Sequence, residues 1–293
     1  MAYHDVLSGL KALFLEKPAS RDAWLALLQK RSPGLSPAER EALLAIPDER
    51  LDVYVGLLRD NQATMLKFVA PATIEALAKF AGAAESEIAR SMLIETPRKT
   101  SRMRELSGRL IDYLAGPGRA WVERCPPILD LARLEQAQTE AFYAPDDPRA
   151  LTPPEFAARA EGATVDEVLG LLWKPSASLR FLEVEYDVLD WRTRHHETEG
   201  WPPPPPRLPA PIELACARDP GTLQGDWHRI EPRLLDLVRP DRAPDWGPIE
   251  VLATGWVEAA GFDPEDPTAP GHFIEQVASW VRVGVVAVAP SLP

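Results

Sequence analysis

Cysteine, histidine and glycine-rich motifs are scarce in this chain, and each shortage removes a class of function. Only two cysteines occur among 293 residues, Cys125 and Cys216, far apart and in no CxxC pair. They read as reduced thiols rather than a disulfide framework. Cys216 alternates with Ile212 and Leu214, the pattern of a strand with a core face. Cys125-Pro126-Pro127 reads as a helix-entry turn, a poor setting for a nucleophile. The five histidines include one adjacent pair, His195-His196, within the charged stretch WRTRHHETE. That pattern fits a solvated helix end, and a structural zinc site would need further donors. HExxH, P-loop, GxGxxG and GxSxG motifs are all missing. No apolar run approaches the roughly 18 residues of a membrane span, and the N-terminus MAYHDVLSGL lacks a signal-peptide core. The chain therefore reads as cytoplasmic, with no membrane partner. Positive charge is also in short supply: 44 acidic residues face 32 basic ones, a net charge of −12. Such a balance repels nucleic-acid backbones.

Proline, in contrast, is abundant at 31 residues, and it punctuates the chain. Ahead of residue 175 or so the pattern is helical. HDVLSGLKALFLE carries Val6, Leu7, Leu10, Leu13 and Phe14 at helical spacing, ended by Pro18. Ser20 and Ser36 are N-cap residues for the next two helices, with Pro37 at the first helical position of the second. A long amphipathic run covers Asp48 to Val69 and stops at Pro71. Further helices are predicted at 72–80, 84–94, 101–115 and 126–143, and Thr152 and Thr164 cap two more, the second including the stretch TVDEVLGLLW.

The pattern then changes. Leu182, Val184 and Tyr186 alternate, predicting an extended stretch before a short helix over Leu189–His195. Five consecutive prolines follow in ETEGWPPPPPRLPAP, which favours a polyproline II spacer. Beyond it, PIELACARDPGTLQGDWHRIEP predicts two strands joined at Asp219-Pro220-Gly221. Three helices (EPRLLDLV, GPIEVLATGWVEAAG and GHFIEQVASWVRVG) and a last strand, VVAVAP, complete a winged-helix-like order. Trp256 and Trp280 follow helical apolar spacing and read as core. The expected fold is mainly α: a helical N-terminal domain over 1–185, an extended, Pro-rich linker over 186–210, and a small α+β winged-helix-like domain over 211–293.

One acidic residue stands out. In ILDLARLEQAQTEAFYAPDDP, the residues Ile128, Leu131, Leu134, Gln138 and Phe142 share a helical stripe, and Glu135 falls near its middle. A carboxylate placed there must be paired or hydrogen-bonded.

The same stretch, DLARLEQAQTEAFYAPDD, resembles a signature helix of the HvfC/BufC-type family. ERLDVYVGLLRDNQATMLKFVAP is similar to a second family pattern through Arg50, Leu51, Val53, Tyr54, Asn61, Leu66 and Pro71. It departs at Val55, Gly56 and Asp60. PSASLRFLEVEYDVLDWR matches a third segment, so the resemblance covers roughly residues 45–195. The signature positions are Tyr54, Arg59, Asn61, Pro71, Leu134, Glu135 and Phe142. The resemblance implies a non-catalytic partner of a multinuclear non-haem iron oxidative enzyme that modifies ribosomally made peptides, with Cys as the modified residue. It also implies that the iron resides in the enzyme and that this chain holds no metal or cofactor. The partner subunit of the 3-thiaglutamate type of pathway is a plausible close relative. In that setting Glu135 is expected to be architectural, held by Arg59, Asn61 or Tyr54.

A precursor (leader) peptide would add as a strand to an open edge at Pro211–Ala217 or at Asp226–Glu231. Ile212, Glu213, Leu214, Ala215, Cys216 and Ala217 would then form one side of the peptide site. The helix Phe273–Arg282 would form the other wall, through Ile274, Val277 and Val281. A winged-helix transcriptional regulator is the rival reading. Its recognition helix, HFIEQVASWVR, would carry only Arg282 as a strong cation, beside the acidic loop FDPEDPTAP, which is poor chemistry for phosphate contacts.

Overall fold

Serine and threonine caps open several helices, as their spacing predicts. The computed structural model describes residues 20–95, 104–198, 200–241, 245–263 and 265–291, together with Gly9. The predicted helix HDVLSGLKALFLE lies outside the described residues. Helix α1 (Arg21–Arg31) starts at Ser20, whose hydroxyl accepts from Ala23 N–H. Helix α2 (Pro37–Leu44) starts at a reciprocal capping box between Ser36 and Glu39. Helix α3 (Asp48–Val69) has the predicted bounds, and Pro71 opens α4 (Pro71–Ala76), which runs on as a π-helical turn over Leu77–Ala81. Helices α5 (Glu85–Glu95), α6 (Arg104–Ala115) and α7 (Arg119–Arg124) follow.

The chain divides into two compact units, at Cys125/Pro126. In the first, α3 is the organising element, with α4, α5 and α6 packed along it. Leu66, Ile74, Leu77, Ile88, Met92 and Leu110 are fully buried. Each such side chain contributes about 1.5–3 kcal/mol by leaving water. Leu28, Leu35 and Leu43 make a smaller cluster between α1 and α2.

The second unit opens with α8 (Pro127–Phe142), then α9 (Pro153–Ala160) and α10 (Val165–Leu169), the last two entered through capping boxes at Thr152 and Thr164. The elements β1 (Leu172–Pro175), β2 (Arg180–Tyr186), α11 (Val188–Glu197), β3 (Arg207–Arg218), β4 (Gly225–His228), α12 (Pro232–Leu237), β5 (Gly247–Pro248), α13 (Ile249–Ala260), α14 (Ala269–Arg282) and β6 (Val286–Ala289) complete it. They form two antiparallel three-stranded sheets, in the orders β5-β1-β6 and β2-β3-β4. The molecule is thus mostly helical with two small sheets. Among the described residues, no helix is long and apolar enough to cross a membrane.

The expected boundary at the proline run needs correction. β2 precedes Pro202–Pro206 and β3 follows them, yet the two pair from Arg180↔Cys216 to Tyr186↔Arg207. The run therefore lies within one unit. The segment 186–210 is not a linker either: it holds α11, the short helix expected over Leu189–His195, and the start of β3. Trp191 donates its indole N–H to Pro202 O (3.0 Å), and Trp201 stacks on His195 at 4.0 Å. Aromatic anchoring fixes what reads as a free spacer. The helix expected over TVDEVLGLLW also ends early, at Leu169: Leu172–Pro175 is β1, paired with β6 more than a hundred residues away.

The β2-β3-β4 sheet is covered on both faces. Cys216 meets Ala137 and Ala141 of α8, with Trp227 packed beside them. Ala215 and Ala217, pointing the other way, join the main core with Trp173, Leu235, Val277 and Trp280.

Candidate functional site

The strand expected to carry an open edge, β3, is the central strand of its sheet. Asp219 N–H donates to Gln224 O (2.8 Å) at the hairpin end, so the odd-numbered residues of β3 turn their backbone groups toward β4. Ala215 and Ala217 lie opposite His228 and Asp226 in that ladder. Even-numbered residues turn theirs toward β2, and Arg218 N–H accordingly donates to Ser178 Oγ (3.1 Å). β4 ends at Ala215, which leaves the N-terminal half of β3 with an unpaired side. In that stretch Pro209 and Pro211 have no N–H to offer, a device that blunts an edge. The side chains are committed as well. Leu214, Ala215, Cys216 and Ala217 are buried, Ile212 is half-buried, and Glu213 is held by the Arg239 guanidinium.

The opposite wall is likewise core. Val277 and Val281 are buried and Ile274 packs against the same cluster, so α14 presents no groove to β3. The peptide site expected over Ile212–Ala217 and Ile274, Val277 and Val281 is thus filled by the protein's own packing. β4 is an edge strand, but its Gly225 carbonyl accepts from Gln138 Nε2 of α8 (2.8 Å). The thiol of Cys216 is pushed up to about 12 by burial, with Asp226 adding to the shift, which disfavours the nucleophilic thiolate.

An edge does face open space on the other sheet. Ser176 N–H donates to Val285 O (3.0 Å), and Leu172↔Ala289 and Lys174↔Ala287 continue that ladder. By alternation, Val286 and Val288 turn their backbone groups away from β1. Val288 O accepts from Leu151 N–H (2.7 Å), a contact of the kind an added strand would make. Val286 lies against a cleft of about 300 Å³. Its floor is Val281, Gly284, Val286 and Ala287, and the segment 145–153 and the hairpin at Pro220 and Leu223 wall it. Gly284 has φ +74, and a Cβ there would collide with the Arg218 carbonyl, so only glycine closes this end.

Two cations line the cleft, and the wall segment engages both. Lys174 Nζ lies 2.5 Å from Asp147 Oδ2 and over the Trp246 ring at 4.8 Å. That hydrogen bond holds the Asp147 carboxyl below the usual range, and the Arg149 N–H reinforces it. Arg218 donates to Ala144 O (2.8 Å) and Phe142 O (3.0 Å) and pairs with Asp146. Sequence reasoning missed this cleft because Leu172 and Trp173 read as the end of a helix, and the segment between Phe142 and the Thr152 cap carries no predicted element. The one available signal was the apolar run VVAVAP, a continuous apolar stretch of the kind that forms a strand buried on both faces.

On α8, Leu134 and Glu135 are buried as the stripe predicts. Phe142 is not part of that inner stripe: it is 48% exposed at the C-terminal end of α8, with its ring edge against Tyr143. Pro71 and Asn61 are exposed, while the side chains of Tyr54 and Arg59, the expected holders of Glu135, lie outside the described residues. A second acid on the helix escaped notice. Asp130 is 4% exposed, and its Oδ2 accepts from the N–H groups of Glu185 (2.8 Å) and Tyr186 (3.2 Å), where the register between β2 and β3 shifts. Burial pushes its carboxyl above the ordinary range, while those two N–H groups and Arg133 pull the other way. Its role is to terminate a sheet.

Among the described residues, no group of three or more His, Cys, Asp or Glu side chains is placed to hold a metal ion. No protein-family model matches the chain, and no curated protein matches it significantly.

Proposed function

We propose that this chain is a non-catalytic partner subunit that binds an extended precursor peptide and presents it to an iron-dependent oxidative enzyme. The observation that carries the peptide part is the outer edge of β6, where Val286 turns its N–H and C=O onto a cleft bounded by the protein's own chain. Strand addition uses such an edge for affinity and the neighbouring side chains for register. The unit that holds it, with α12, α13 and α14 beside the β5-β1-β6 sheet, is the winged-helix-like part of this reading. The oxidative enzyme, its iron and the Cys-bearing peptide enter through the resemblance of residues 45–195 to the HvfC/BufC-type family. A DNA-binding role is less favoured. The outer face of α14 offers Arg282 as its one permanent cation, and His272 on that face lies 3.6 Å from Glu275.

The test is calorimetry of the full chain with synthetic N-terminal segments of short Cys-bearing peptides encoded beside its gene. Affinity near the micromolar range is expected, because a disordered peptide must be ordered on binding. Val286→Pro removes the N–H that faces the cleft and spares the ladder to β1, so it should weaken binding at least about tenfold, the loss of one buried hydrogen bond. Unchanged affinity in a folded Val286→Pro protein would rule this edge out.

A further inference from the structure

Leu223 is the non-glycine residue with positive φ among the described residues, at φ +60. The hairpin that holds it is tightly specified. Asp219 Oδ1 accepts from Gly221 N–H (2.7 Å) and Thr222 N–H (2.9 Å), and Leu223 N–H donates to Asp219 O (2.8 Å). That geometry forces a left-handed residue just before β4, where glycine or asparagine sits without strain. Leucine does not, and its side chain gains little in return, being 51% exposed. A strained backbone carrying an unburied apolar side chain has no folding rationale, and strain of this kind concentrates at binding sites. Leu223 also lines the cleft beside β6, together with Pro220 from the same turn.

We infer that Leu223 is a specificity residue of this cleft, its side chain forming an apolar lip for an aliphatic side chain of the bound peptide. The inference rests on the peptide-binding reading above and adds which peptides are accepted. β6 starts at Val286, past the turn that Gly284 closes against Arg218, and Val288 is already engaged by Leu151, so the free edge spans only about 7 Å, room for very few residues of extended chain. Over so short a track, backbone pairing at Val286 supplies little discrimination. Selectivity then falls to side chains at the rim, and Leu223 and Pro220 are its apolar members on the hairpin side.

The full chain is panned against a displayed library of random linear peptides, alongside Leu223→Gly and Leu223→Asn, which both accept a positive φ. The wild type should enrich sequences with an aliphatic residue at one fixed position, and both variants should lose that preference. Both should also melt higher than wild type, Leu223→Gly by about 2–4 °C, because the strain is relieved. A fall in melting temperature would make Leu223 a structural residue and overturn the inference. Unchanged enrichment in the variants would overturn it alone, leaving peptide binding intact. A wild type that enriches nothing would remove the peptide-binding reading and the inference together.

Discussion

The two three-stranded sheets of the second unit are built from similar material and finished in opposite ways. In β2-β3-β4, α8 covers one face and the main core the other, prolines lie in the stretch of β3 that β4 leaves unpaired, and a side-chain amide takes the free Gly225 carbonyl. In β5-β1-β6, the outer edge of β6 receives one hydrogen bond from Leu151 and otherwise borders a cleft. Edges are hazards that proteins blunt or cover. Where one sheet is covered on both faces and capped by side chains at Gly225 and at Glu185–Tyr186, and its neighbour borders a cleft, the edge on the cleft is the place to look for a partner.

The largest effect expected of breaking this contrast lies at Asp130, which finishes β2. Asp130→Ala leaves the Glu185 and Tyr186 N–H groups without their buried acceptor, and should destabilise the protein by about 2–3 kcal/mol in chemical denaturation. Because burial raises its pKa, the ionised form carries a penalty in the folded state. The folded protein should therefore gain stability, relative to Asp130→Ala, as pH falls through the raised pKa. A pH-independent difference between the two proteins would contradict the burial of that charge.

A smaller effect, on association rather than folding, is expected when the blunted edge is restored. The double change Pro209→Ala and Pro211→Ala returns two N–H donors to the stretch of β3 that β4 leaves unpaired. Sedimentation velocity should then show concentration-dependent self-association that the wild type lacks at the same concentration. A variant as monodisperse as the wild type would mean that the prolines do not guard this edge.

How much of this was legible depended on how local the cause was. The caps at Ser20, Ser36, Thr152 and Thr164 and the full length of α3 follow from contacts within a few residues, and the sequence pattern carries them. The Asp219 turn is equally local. β1 was not legible, because Leu172 and Trp173 continue the apolar spacing of α10 and become strand only through pairing with β6. The proline run was misjudged for the same reason: its composition describes a spacer, and what fixes it is a pair of tryptophans and the β2–β3 ladder around it. Glu135 was visible as an anomaly of the helical stripe. Asp130, one turn and a half earlier, has no anomaly to show until β2 arrives to use it.

The smallest effect concerns the segment that borders the open edge. Lys174 and Asp147 have side chains 16% and 15% exposed, so their pairing is partly shielded from water, and it ties the segment 144–152 to β1. Lys174→Met keeps the stem that packs by Trp246 and removes the charge; the cost near neutral pH should be about 1 kcal/mol, the upper end for pairs of this kind. The sign of its pH dependence follows from Asp147. Its folded pKa is depressed below the ordinary 3.8, so the pair stabilises the protein above that value and the benefit is lost as pH falls through the lowered pKa. The difference between wild type and Lys174→Met should thus be constant near neutrality and shrink in the acid range, the reverse of the trend expected at Asp130. If Lys174→Met also tightened peptide binding, the segment 144–152 would compete for the β6 edge; if it left binding unchanged, the segment would act only as a fixed wall of the cleft.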